Sequence, residues 1–264
     1  MARSDQELSG KVAFITGGGS GIGKAAALEL AAAGADIAVL TRSRDEAEET
    51  AAEARAKGVR AIALTGDISV AEEIEAAIGR VVAELGRLDI VFANAGINGV
   101  WAPLHELAPE EWDKTIAINL RGTFLTLRYS VPHMLADGGS IIITSSINGT
   151  RTFTTAGASA YATSKAGQLA LGQMAALELA RHRIRVNVIC PGAIGTEIDD
   201  NTDQRNTDAA RVPANYPQGQ VPLTGGDPGT SDDVADLVRF LASDASRHIT
   251  GTPVWIDGGQ SLLV

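Results

Sequence analysis

Among its 264 residues the chain has one cysteine, Cys190, which excludes an internal disulfide. Aromatic residues make up only 4%, so a core has to come mostly from Ala, Val, Ile and Leu. No run of about 18 apolar residues occurs, so no membrane-spanning helix is expected. A basic surplus is also missing: 22 Lys and Arg stand against 32 Asp and Glu, a formal net charge of −10. That balance argues against a nucleic-acid surface and against docking on anionic lipid. The first residues carry Asp5 and Glu7 without a long apolar stretch, so no secretory signal is predicted and a cytoplasmic protein is expected. The four histidines, His105, His133, His182 and His248, are scattered, and no metal site is predicted.

What the sequence does have is length for one sizeable core, and a single domain spanning 1–264 is expected. Glycine is abundant, 29 of 264. No repeat or low-complexity block goes with it, which assigns the glycines to local backbone tasks. Short apolar runs predict strands over Val12–Thr16, Asp36–Thr41, Ala61–Thr65, Leu88–Ala93, Ser140–Thr144, Arg185–Cys190 and Pro253–Asp257. Runs such as VAFIT and IIIT are apolar almost throughout, as strands covered on both faces must be. Between them, Gly21–Ala33, Asp45–Lys57, Ala71–Leu85, Pro109–Leu135, Ser159–Arg181 and Ser231–Ser243 are long enough for helical crossovers. Strand and helix in alternation predict an α/β fold: a Rossmann-like, doubly wound parallel sheet of about seven strands in three αβα layers, with right-handed crossovers. The irregular stretch over 193–230, with Pro213, Pro217, Pro222 and Pro228, reads as a lid over a substrate site. A loosely ordered surface loop is the alternative.

The first strand and first helix are joined by Gly17-Gly18-Gly19-Ser20-Gly21-Ile22-Gly23. Such a turn lets backbone amides approach a pyrophosphate and points a helix N-terminus at it. At the end of the second strand an acidic residue would hold a ribose 2′-hydroxyl, but the sequence has Thr41 followed by Arg42. A guanidinium suits a 2′-phosphate, so NADP(H) is favoured over NAD(H), with Arg44 as a possible helper. Arg42 as a solvated strand-end residue is the competing reading, since Ser20 adds no second positive charge. Asp67, after the third strand, is placed to accept from an adenine amino group. Its alternative is to cap the next helix, for which Ser69 is the better candidate.

Tyr161 and Lys165 lie one helical turn apart, on one face. A free phenol has a pKa near about 10, and a neighbouring ammonium lowers it, so that Tyr161 can exchange a proton with a carbonyl or alcohol oxygen. Ser145 and Ser146 close the IIIT run, at the strand edge where open α/β sheets bind ligands. A hydroxyl there can hydrogen-bond the reacting oxygen. Asn119 sits among apolar residues in a predicted helix. Its amide is suited to holding a water between Lys165 and solvent, or to satisfying buried backbone groups. Asn94, in Asn94-Ala95-Gly96, is read in the second way.

Taken together and in order, the glycine turn, Asn94-Ala95-Gly96, Asn119, Ser146, Tyr161 with Lys165, and Pro191-Gly192 resemble the short-chain dehydrogenase/reductase family, in its short single-domain branch. The resemblance covers essentially the whole chain. It implies a catalytic tetrad of Asn119, Ser146, Tyr161 and Lys165. It implies cofactor contacts at Gly17, Gly19, Ser20, Gly21, Ile22, Gly23, Asp67, Ile68, Asn94, Ala95, Gly96, Tyr161, Lys165, Pro191, Gly192, Ile194 and Thr196. It also implies a small-molecule ketone or alcohol substrate, and a homotetramer or dimer built through the helices carrying Asn119 and Tyr161. Ser146 is preferred to Ser145 because Ile147-Asn148-Gly149 follows it, similar to the family's S-x-x-G.

Two departures stand out. The family's N-N-A-G reads Ala93-Asn94-Ala95-Gly96 here. The gap from Ser146 to Tyr161 is longer than the commoner spacing, so the segment 149–155 is expected to bulge near the substrate. Cys190 is read as a packed thiol, Arg151 as a surface residue, and Asp199, Asp200 and Asp203 as solvating a loop. Two other readings remain: a cofactor-sensing module without turnover, and a sugar-nucleotide epimerase or dehydratase of the longer branch.

Overall fold

The computed structural model describes residues 6–196, 202–213 and 220–263. Its strands are β1 (Val12–Thr16), β2 (Asp36–Thr41), β3 (Ala61–Thr65), β4 (Ile90–Ala93), β5 (Gly99–Trp101), β6 (Gly139–Thr144), β7 (Ile184–Pro191), β8 (Thr202–Gln204) and β9 (Pro253–Ile256). Its helices are α1 (Gly21–Ala32), α2 (Arg44–Ala56), α3 (Ala71–Leu85), α4 (Pro109–Ile116), α5 (Gly122–Ser130), α6 (Ser159–Leu179) and α7 (Ser231–Ala242). β1 is buried at every residue, as its unbroken apolar sequence requires. It lies inside a seven-stranded parallel sheet of order β3-β2-β1-β4-β6-β7-β9. Strand order reverses about β1, so a crevice forms beyond the carboxyl ends of β1 and β4.

Alternate residues of each strand feed two cores. On one face Phe14, Ile141 and Ile143 pack with Ile74 and Ile78 of α3, Leu125 of α5 and Ala176 of α6. On the other, Ala13, Ile15 and Ile142 pack with Ala26 and Leu30 of α1, Ala51 of α2 and Val234 and Val238 of α7. Small residues set the helix–sheet spacing. A Cβ on Gly172 of α6 would stand 2.4 Å from the Val188 methyl on β7, so a larger residue there would lift α6 off the sheet.

Two expectations are corrected. The single helix over 109–135 is interrupted by a π-turn at Ala117–Arg121 between α4 and α5, and it ends in a 3₁₀ turn at Val131–His133 that contains Pro132. Such interruptions of a helical ladder are common at functional sites, and this one carries Asn119. Part of the stretch read as irregular forms the short strand β8, which pairs in parallel with β5. Three residues are too few to show a period. Arg205 extends this contact with paired bonds to both Glu111 carboxylate oxygens, each 2.9 Å. Asp203 is exposed on β8, while Asp199, Asp200 and Pro217 lie outside the described residues. No helix among the described residues is long and apolar enough to cross a membrane.

Candidate active site

The carboxyl ends of β1, β2, β4, β6 and β7 open onto one cleft of about 490 Å³. At its floor the glycine turn leaves β1 through Gly17, whose φ is +65° and whose Cβ would come 2.9 Å from Ala95 Cα. Any side chain there would close the crevice between β1 and β4. Gly23 packs against the Gly17 carbonyl, 2.0 Å from where its Cβ would lie, which seats α1 tightly on the turn. Ser20, the residue before α1, makes no side-chain cap. The first-turn N–H groups of α1 are thereby kept for an anion. The cleft lining and this turn fit a dinucleotide.

Gly17, Gly19, Ser20, Gly21, Ile22, Arg42, Asp67, Ile68, Asn94, Ala95, Gly96, Pro191, Gly192, Ile194 and Thr196 all line the cleft, as do Ser146, Tyr161 and Lys165. Gly23 and Asn119 support the wall from behind. Arg44 begins α2 and is not part of the lining. At the end of the cleft beyond β2 and β3, Arg42 is exposed, and its charge acts on Asp67. Burial works to raise the Asp67 pKa. Hydrogen bonds from the Ser69 hydroxyl and N–H, at 2.7 and 2.8 Å, together with Arg42, outweigh it and hold the group below the usual range. Asp67 therefore closes a turn onto Ser69. Neither residue caps α3, whose N-cap is Val70 with no side-chain bond, because that turn uses both polar side chains.

Asn94 satisfies backbone, as read. Its amide faces the carbonyls of Thr16 and Gly17, each at 3.4 Å, and its oxygen accepts from Thr144 Oγ1 at 3.1 Å. Asn119 is fully buried. Its Nδ2 donates to the Ile97 carbonyl at 2.9 Å and to Ser164 Oγ at 3.0 Å, and its Oδ1 accepts the Ile97 N–H at 2.9 Å. Both amide hydrogens are thus committed to protein, and a water held by this amide has only the remaining lone pair of Oδ1. The π-turn frees the Asn119 carbonyl, which accepts from Thr123 and Gln168 instead.

β6 delivers the two serines with different partners. Ser145 Oγ donates to the Lys165 carbonyl at 2.7 Å, tying the strand to α6. Ser146 Oγ accepts the Asn148 N–H at 3.1 Å and lies near enough to the Tyr161 phenol to pull its pKa down. The geometry therefore puts Ser146, not Ser145, beside the ring oxygen. Lys165 is 3% exposed and donates from Nζ to the Thr144 carbonyl at 3.0 Å. Burial pushes its pKa down to about 8.

The expected lowering of the Tyr161 pKa is not found in this arrangement. Burial raises it, and the Ser146 hydrogen bond offsets only part of that rise. The ammonium stands 5.4 Å from the ring centroid and is directed at Thr144, so desolvation dominates. Cys190 is buried with its thiol pushed up to about 11, chiefly by desolvation, which suits a packed group. Arg151, although exposed, stacks 3.5 Å over the Trp255 ring.

Several cleft residues escaped the sequence reading: Ser43, Gly66, Ile97, Ile118, Thr144 and Glu46. Glu46 lines the cleft, its Oε2 2.6 Å from where a Gly19 Cβ would be, and accepts from Thr41 Oγ1 at 3.4 Å. The S-x-x-E spacing of Ser43 and Glu46 was a visible signal, but it points to a capping box. Only the Ser43 half of that box forms, and the carboxylate turns into the cleft.

A family model described as "Enoyl-(Acyl carrier protein) reductase" matches residues 17–261. The chain is 40% identical over 256 residues to a short-chain dehydrogenase/reductase, eriH, of Hericium erinaceus, covering 94% of this chain and 97% of the relative. The crystal structure of a 3-ketoacyl-ACP reductase from Sinorhizobium meliloti 1021 superposes with a TM-score of 0.92 at 55% identity, covering 96% of this chain and 100% of that one. That of a carveol dehydrogenase from Mycobacterium avium in complex with NAD gives 0.86 at 30% identity, covering 97% and 99%.

Proposed function

This chain belongs to the short-chain dehydrogenase/reductase family and is an NAD(P)-dependent oxidoreductase; from that premise we propose that Tyr161 is its general acid and base toward a ketone or secondary alcohol. The supporting observation is the buried cluster of Ser146, Tyr161 and Lys165, with the ammonium 5.4 Å from the ring centre and the serine acting on the phenol. The nicotinamide ring, when bound, supplies or takes up the hydride at C4. The chain's own residues handle the oxygen. In reduction the neutral phenol donates its proton to the oxygen that gains negative charge, and Ser146 donates a second hydrogen bond to it. In oxidation the phenol first gives its proton to solvent water, the Lys165 ammonium stabilises the phenolate, and the phenolate then takes the hydroxyl proton of the alcohol.

Lys165 also holds the nicotinamide ribose in this reading. Asn119 fixes the Ile97 backbone and Ser164, which keeps the wall facing Lys165 in place. Arg42 selects NADP(H) over NAD(H) through the 2′-phosphate. A homotetramer is assembled through α5 and α6, where Phe124, Met174 and Leu177 are exposed, a patch of the sort that marks contacts between copies. The wall residues 193–196 are themselves anchored, since Gln260 Oε1 accepts the Ala193 N–H at 2.7 Å and Gly195 donates to Gly229 at 2.9 Å. The test is absorbance of the reduced nicotinamide during incubation with a panel of ketones and alcohols. Consumption with at least one ketone is expected. Tight cofactor binding with no consumption across the panel would mark a sensing module instead.

A further inference from the structure

Tyr161, Ser164, Lys165 and Gln168 follow one another at helical spacing along α6, and all four are buried on one face of it. The first three have tasks in the site; Gln168 has none assigned. Its side chain is wholly buried, and an amide in such a place is costly unless its groups are paired. Only its nitrogen is paired. Nε2 donates to the Asn119 carbonyl at 3.0 Å and to Thr123 Oγ1 at 2.7 Å, whereas Oε1 has no partner among the described residues. The carbonyl of Asn119 can only accept, so the nitrogen has to face it. A methionine, similar in length, would fill the same space without an unpaired oxygen. It could not donate to the π-turn.

Gln168 therefore serves the π-turn at Ala117–Arg121. A helical ladder broken in this way holds where a side chain takes up the displaced carbonyl. Thr123 Oγ1 donates to the same carbonyl at 2.7 Å, which spends its proton and leaves a lone pair for Gln168. The residue before Gln168 packs there too, since a Cβ on Gly167 would stand 2.8 Å from Leu120 Cδ2. Asn119 is thus attached to α6 twice. Its Nδ2 donates to Ser164 Oγ, which in turn donates to the Tyr161 carbonyl at 2.7 Å, and its own carbonyl is held by Gln168 one turn further on. Lys165 lies between the two attachments. A Cβ on Gly96 would stand 3.1 Å from Asn119 Oδ1 and 3.6 Å from Lys165 Nζ, so the amide head and the ammonium border the same point of the cleft wall.

We propose that Gln168 is a positioning residue for the hydride-transfer reaction: its amide, by donating to the Asn119 carbonyl, fixes the π-turn and so aims the Asn119 side chain that holds Ile97 and the wall facing Lys165. Gln168 itself does not line the cleft. Its effect on turnover rests on the Tyr161 assignment above; its effect on Asn119 does not.

The test is Gln168→Met, measured by turnover of a ketone that the wild type reduces and by amide hydrogen exchange followed by NMR. The value of kcat is expected to fall about tenfold with KM and cofactor Kd unchanged, while Tm holds or rises because the unpaired oxygen is gone. In an Asn119→Ala background the same substitution should cost less than about twofold, since residues that act through one another are not additive. A loss of the same factor in both backgrounds, as packing alone would give, or an unchanged kcat in Gln168→Met, would overturn the proposal. If Gln168→Met does not fold, Thr123→Val is read in the same two backgrounds by the same criteria, because it removes the hydroxyl that Gln168 and the Asn119 carbonyl share. Where no ketone is turned over, exchange decides alone. The Ile97 N–H, which Asn119 Oδ1 accepts, should exchange at least about tenfold faster in Gln168→Met while Phe14 and Ile142 in the sheet keep wild-type rates. Unaltered Ile97 exchange removes the proposal even in an active reductase. Faster exchange in a protein without turnover keeps the hold on Asn119 and removes the Tyr161 assignment instead.

Discussion

Lys165 holds its ammonium 5.4 Å from the centre of the Tyr161 ring while directing its hydrogen bond at the Thr144 carbonyl, 3.0 Å away. The two groups share a buried pocket floor, and each is penalised for carrying charge there: the phenol is held up and the ammonium held down. Burial brings the titration of Lys165 closer to neutral pH and moves that of the phenol further from it, so that Tyr161 is neutral at pH 7 and holds a proton to donate.

Replacing Tyr161 by Phe removes the phenol oxygen without changing the shape of the ring. Turnover should fall by about 10²–10⁴-fold, the usual contribution of a positioned proton donor. Cofactor affinity, measured by fluorescence titration, should hold. A Phe variant with wild-type turnover would take Tyr161 out of the mechanism.

Lys165 should titrate with a midpoint near 8 in the cofactor-free protein, read from the ¹³Cε shift of labelled lysine. The sign for stability follows from that depression. Between pH 8 and about 10.5 the unfolded chain carries a proton that the folded one has released, so folding gains stability as pH rises through that window. Lys165→Met should therefore have a higher Tm than wild type at pH 6–7, and the gap should narrow as pH climbs from 8 towards 10.5. A pH-independent difference would mean that the ammonium bears no burial penalty.

Much of this site was legible because its parts sit at strand ends. The run IIIT had to be a covered strand, and a covered strand had to present Ser145 and Ser146 at its carboxyl edge. What the sequence hid was direction. Two adjacent serines do not by themselves say which hydroxyl faces the phenol; the following Ile147-Asn148-Gly149 favoured Ser146, and the Ser145 bond to the Lys165 carbonyl shows where the other hydroxyl is spent. The lowered phenol pKa was inferred from an i, i+4 spacing, but spacing carries no information about burial, which acts in the opposite sense here. The π-turn at Asn119 and the three-residue strand β8 were invisible for a related reason. Each is fixed by long-range partners, Ile97 and Ser164 for the one and β5 for the other, and neither leaves a local period.

Glu46 and Arg42 put opposite charges at the adenosine end of the cleft, and they should move cofactor choice in opposite directions. Arg42→Ala should cost NADPH about tenfold in affinity and NADH little. Glu46→Gln removes a carboxylate that repels a phosphate while leaving a group able to accept from Thr41. It should tighten NADPH about fivefold with NADH nearly unchanged. Direct titration of both cofactors checks each, and equal shifts for the two cofactors would show that these side chains do not read the phosphate.

The Arg205–Glu111 pair ties the segment beyond β7 to the start of α4. Its guanidinium spans both carboxylate oxygens and also donates to the Glu106 carbonyl at 2.6 Å. The Arg205 hydrogen bond is the chief cause that lowers the Glu111 pKa to about 2, with the Ala108 N–H second. The contact is accordingly intact above the ordinary carboxylate pKa and is lost only as pH falls towards 2. Arg205→Ala should raise KM for the ketone several-fold with kcat and cofactor affinity close to wild type, because the pair fixes β8 and the 3₁₀ turn at Thr207–Ala210 rather than the reacting atoms. Arg205→Lys should recover only part of the loss, since an ammonium cannot span two oxygens in a plane. Glu111→Ala should do more damage than Arg205→Ala, because Glu111 also accepts the Ala108 N–H at the start of α4. If KM stays at its wild-type value in all three, the segment does not bear on substrate binding through this pair.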